Sequence, residues 1–202
     1  MSASAIAPAT AGPSTAAGRD SRPDPSPSTA QLAAIVATAL TAATVLVAVV
    51  VRLALAGQAR RWLGYQFPGV PAHLSTALWI LAHNARGLAG VLGLLTVAQL
   101  AARSSGPARA QRVLRSAGEV VIAGAITANL LVVGAAIGGY GTRMLVAMLP
   151  HGPVELAAYS LALALYLSGR RGALPIARIA VVAGASVALL ALAAALETWV
   201  SL

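Results

Sequence analysis

No cysteine occurs among the 202 residues, which excludes disulfides, thiol nucleophiles and thiolate-held metal. Lysine is missing as well, so all 14 basic residues are arginine; beside the abundant alanine this suggests a GC-rich bacterial genome. Only five acids are present, and both aspartates, Asp20 and Asp24, lie in a polar N-terminal stretch. That removes paired intramembrane aspartates as a proteolytic device. No phosphate loop, no zincin helix and no serine nucleophile with a partner is recognisable. Charged residues amount to 9% of the chain against 58% hydrophobic, too little polar surface to clothe a water-soluble globule. The composition is that of an integral membrane protein. The formal charge of +9 does not point to nucleic acid, because the arginines fall mostly between apolar runs, where they set topology or touch anionic lipid.

Met1 to Thr29 is built from Ala, Ser, Thr, Pro and Gly without apolar periodicity, and is expected to be a disordered cytoplasmic tail. The run from Ala30 to Ala56 is 27 residues long. That is too long for the hydrophobic region of a signal peptide, although Ala54-Leu55-Ala56 would satisfy a small-x-small cleavage site, so an uncleaved first span is expected. A bilayer core of about 30 Å needs about 20 apolar helical residues. Five such runs are expected, near 30–56, 74–101, 118–140, 148–168 and 175–200, giving an all-α integral membrane helical bundle over 30–202. Between the first two runs, Arg60, Arg61, Trp62, Tyr65 and Phe67 read as an interfacial loop at headgroup level.

With five spans, Arg103, Arg109, Arg112, Arg115, Arg170, Arg171 and Arg178 share one side. Arg52, Arg60, Arg61 and Arg143 share the other, so the positive-inside rule puts the N-terminus in the cytoplasm and the C-terminus outside. A four-span arrangement with 118–168 as one bent unit is the rival. Gly134-x-x-x-Gly138 and Ala180-x-x-x-Gly184-x-x-x-Ala188 offer small residues for close helix approach. Packing within the bundle is the expected use, with a homo-oligomer face as the alternative.

Polar residues inside the apolar runs carry the functional information, since lipid-facing helices reject them. They are Asn84 and Arg86 in the second run, Asn129 in the third, His151 and Glu155 in the fourth, and Glu197 in the fifth. All are placed in one half of the membrane and read as a polar cluster, with Arg86 expected to meet Glu155 or Glu197. A register-fixing network and a proton-linked or ligand site are both open readings. A metal site would need His73 or His83 beside His151 and Glu155, and two ligands at i and i+4 are not a motif. No cofactor is implied.

Leu149-Pro150-His151-Gly152-Pro153-Val154-Glu155-Leu156 resembles the LPHGxxEL signature of the stage II sporulation protein M family. His83-Asn84-Ala85-Arg86, the Asn129 to Gly134 step and Ala194-Ala195-Leu196-Glu197-Thr198-Trp199 resemble further family segments in the same order. Ala157 stands where the family usually has a second proline, and His83-Asn84 where it has two asparagines. The resemblance covers about 74–200 and marks Pro150, His151, Gly152 and Glu155 as its core. It implies a non-enzymatic multi-span protein that recruits other membrane or envelope proteins as a scaffold. Similar short proteins are associated with export of, or immunity to, bacteriocin-like peptides, which would imply an ABC-type ATPase partner.

Overall fold

The computed structural model describes residues 27–67, 70–103 and 108–200, so the expected tail at 1–29 lies almost wholly outside the described residues. Ser28 and Gln31 form a capping box that starts α1 (Thr29–Val50). The helix continues through a π-helical turn at Val51–Leu55 into α2 (Ala56–Leu63), where Gly64, in the left-handed region with φ 59°, ends it. Next come α3 (Leu74–Arg103), α4 (Ala108–Tyr140) and the short α5 (Thr142–Met148), then α6 (Gly152–Arg171) and α7 (Ile176–Trp199). Pro153 stands in the first turn of α6 and Pro175 caps α7, positions where no amide donor is needed.

The all-α membrane bundle is therefore present, with altered boundaries. Part of the expected 57–73 loop is α2, the expected turn at 141–147 is α5, and α4 begins ten residues before 118. Among the described residues four helical stretches are long and apolar enough to cross a membrane: Thr29–Leu63, Leu74–Leu100, Ser116–Tyr140 and Ile176–Trp199. The fifth expected span is α6, whose 20 residues reach about 30 Å. It falls short in apolarity because it is the core. Ala158, Ala162, Ala164 and Leu165 are fully buried, and α6 packs on α7, α1 and α3. A helix surrounded by other helices can carry Tyr159, Ser160 and Tyr166 where a lipid-facing one could not.

α4 lies outside this group, chiefly against α1 and α2. Gly134 and Gly138 face α1: a Cβ on Gly134 would sit 2.6 Å from Val47 Cγ1, and one on Gly138 would sit 2.6 Å from the carbonyl oxygen of Ala48. The Gly-x-x-x-Gly motif thus serves packing inside the bundle. Gly184, by contrast, has no atom near the place of a Cβ, and Ala180 and Ala188 beside it are exposed.

Candidate functional site

Two polar contacts fasten α3 to α6, one near each end of the central helix. At the first, the side-chain amide of Asn84 donates to Glu155 Oε1. One turn further along α6, Tyr159 Oη donates to the backbone carbonyl of Asn84 at 2.8 Å. Gly87 makes room for this ring: a Cβ there would lie 3.4 Å from the tyrosine oxygen. Glu155 starts the helix as its one first-turn acid, and its amide, like that of Val154, bonds the His151 carbonyl at 3.0 Å. Glu197, near the end of α7, lies close enough for its charge to act on Glu155. His151 Nδ1 is enclosed without a hydrogen-bond partner among the described residues.

The second contact was not foreseen from sequence. Gln99, 5% exposed, donates from Nε2 to the carbonyls of Gly169 (3.0 Å) and Gly172 (3.3 Å), and its Oε1 accepts from the Leu174 amide at 3.1 Å. These carbonyls belong to the last turn of α6 and the residue after it, which helical geometry leaves without partners of their own. Gly169 allows the approach, since a Cβ would fall 2.5 Å from Leu95 Cδ1. Because Asn84 meets Glu155 and Gln99 meets Gly169, α3 and α6 run in the same direction.

Of the residues expected to cluster, the structure joins Asn84, Glu155 and Glu197, with His151 one turn before Glu155. Arg86 does not join them. It is exposed and has no carboxylate within ion-pair distance among the described residues. The reason is helical rotation: two residues turn the side chain by about 200°, so if Asn84 faces α6, Arg86 faces away. The expected pairing with Glu155 or Glu197 is corrected accordingly. Asn129 is likewise exposed on α4 and hydrogen-bonds to none of the others. The ion pair that does form links Arg170 to Glu119 at 3.1 Å, joining α6 to α4. No group of three His, Cys, Asp or Glu side chains gathers among the described residues, and His83 stacks on Trp79 at 5.6 Å.

The expected interfacial loop has its own geometry. Trp62 is 92% exposed. Tyr65, Phe67 and Tyr140 form an aromatic knot, Arg143 lies 4.6 Å over the Phe67 ring, and the Tyr140 hydroxyl donates to the Arg60 carbonyl at 3.2 Å. Phe67 holds φ at 51°, a conformation that costs a phenylalanine about 1–3 kcal/mol. At the opposite end of the bundle, Arg178 donates to Thr29 Oγ1, tying α7 to the start of α1.

Comparison with known proteins finds no match to a family model, a curated protein or a solved structure.

Proposed function

We propose that this chain is a non-enzymatic subunit or scaffold of a membrane assembly, of the stage II sporulation protein M type. The supporting observation is the use made of the family-like motif: Glu155 is taken up in a hydrogen bond with Asn84 that joins two helices. A carboxylate so engaged fixes the register of α3 against α6 and is not presented to a substrate. In this reading the protein resides in the cytoplasmic membrane, with the arginine-rich side in the cytoplasm and the C-terminus outside. Its partners are other membrane or envelope proteins.

Purification of the tagged full chain from native membranes in mild detergent tests this. Co-purification of envelope proteins at fixed stoichiometry is expected. A chain that runs alone on size exclusion after solubilisation in every mild detergent contradicts it.

A second reading draws on one observation, the nearness of Glu155 and Glu197 with no arginine paired to either. Two acids inside the bundle suit a transport-related protein, for export of or immunity to a bacteriocin-like peptide, working with an ABC-type ATPase. Loss of peptide tolerance in Glu197→Gln cells, at unchanged membrane level of the protein, would favour it.

A further inference from the structure

On the side of α3 turned away from α6, the exposed residues Trp79, His83, Arg86, Gly90, Gly93 and Val97 follow one another at intervals of 4, 3, 4, 3 and 4. This is the a/d spacing with which one helix seats another along its length. Gly90 and Gly93 have no atom within 4 Å of a Cβ position, so a neighbouring backbone could come close there. Arg86 sits in the middle of this stripe. Counting from the limits of Leu74–Leu100, it is about 18 Å from one end and about 21 Å from the other. At such depth a side chain cannot snorkel to the headgroups, and a guanidinium facing hydrocarbon is costly.

We propose that this stripe is the docking site for a transmembrane helix of a different protein, one that carries an aspartate or glutamate near its centre opposite Arg86. Charge decides between occupants. A second copy related by a twofold axis along the membrane normal would set Arg86 against its own equivalent. Nor can a copy offer an acid from its membrane-spanning helices: Glu119 pairs with Arg170, Glu155 is held by Asn84, and Glu197 lies beside Glu155. A lipid phosphate does not reach this depth. A carboxylate-bearing helix supplies the counter-charge, a partner for His83 and a body to fill the two glycine gaps. The inference rests on the assembly-subunit reading and names the surface and chemistry by which such an assembly would form.

The test uses the full chain co-expressed in a bacterial membrane with a library of single-span helices. Their stripe-facing positions are randomised, and a split reporter selects for proximity. Wild-type chain should enrich Asp or Glu at the central position about tenfold over the unselected library. Arg86→Gln should abolish the enrichment, and Arg86→Glu should switch it to Lys or Arg. Gly93→Leu, which meets no atom of the folded bundle, should block selection while leaving the melting temperature unchanged. Enrichment without a carboxylate, or disulfide cross-linking of Gly90→Cys chains to each other, overturns the proposal. A native partner that co-purifies equally with wild type and Arg86→Gln would sink this inference and leave the assembly reading standing. A chain that purifies alone while the library still selects acids would do the reverse.

Discussion

Asn84 contributes twice to the contact between α3 and α6, through its side-chain amide to Glu155 and through its carbonyl to Tyr159. Leucine at this position keeps the second bond and removes the first, leaving a half-buried carboxylate oxygen without its donor. A loss of about 1–3 kcal/mol is expected for Asn84→Leu. Glu155→Gln keeps an acceptor for Asn84 and removes the like charge beside Glu197, so a loss under about 1 kcal/mol is expected. Denaturant titration in mixed micelles separates the two, and equal losses would refute the role given to Asn84. The importance of these residues was legible because asparagine and glutamate are out of place in apolar runs. Their pairing was only half legible. Arg86 looked like the natural partner for a carboxylate by charge, but charge carries no information about which way a side chain points, and the rotation from residue 84 to 86 settles the matter against it.

The helices themselves were readable wherever twenty apolar residues run together, since the thickness of a bilayer imposes that length. What apolar length cannot show is where one element becomes another. The π-helical turn at Val51–Leu55 sits in an unbroken apolar run, and α5 is too short to leave a periodic signal. Gln99 left a trace, a single amide late in an apolar segment, but its partners are backbone groups 70 or more residues away and have no signature of their own. Gln99→Leu withdraws hydrogen bonds from the end of α6. Faster amide exchange confined to residues 172–174 is expected, with the first turn of α6 unchanged; uniform acceleration along α6 would argue against a local clasp. The α1–α4 contact gives a sharper test. Gly138→Ala places a methyl carbon against the Ala48 carbonyl, where the obstacle is backbone and cannot rotate aside, so about 1–3 kcal/mol of destabilisation is expected. Gly124→Ala, on the same helix with open space around it, should be neutral or slightly stabilising in the same unfolding measurement.

For the molecule as a whole, hydropathy inverts the order of importance. The helix with the weakest apolar signal, α6, is the one the others enclose, and the most apolar helices form the shell that meets lipid. The physics is consistent: a shell helix must satisfy hydrocarbon on one side, whereas a central helix need only satisfy its neighbours, and Tyr159 does so by bonding α3. The absence of cysteine makes this arrangement directly measurable, because every introduced thiol is the only one in the chain. Single cysteines at Ala158, Ala162 and Leu165, all fully buried, should resist a lipid-soluble maleimide in intact membranes. Cysteines at Val181, Ala188 and Leu192, exposed along α7, should be labelled in the same preparation. Arg86→Cys and Gly93→Cys add the decisive contrast. Both positions are open in the isolated bundle, so both should label after detergent purification. In native membranes, where a carboxylate-bearing helix would cover them, labelling should fall while the α7 positions stay reactive. Labelling at Ala162 would displace α6 from the centre of the bundle. Undiminished labelling at positions 86 and 93 in native membranes would mean that α3 meets lipid there and that no partner helix covers the arginine.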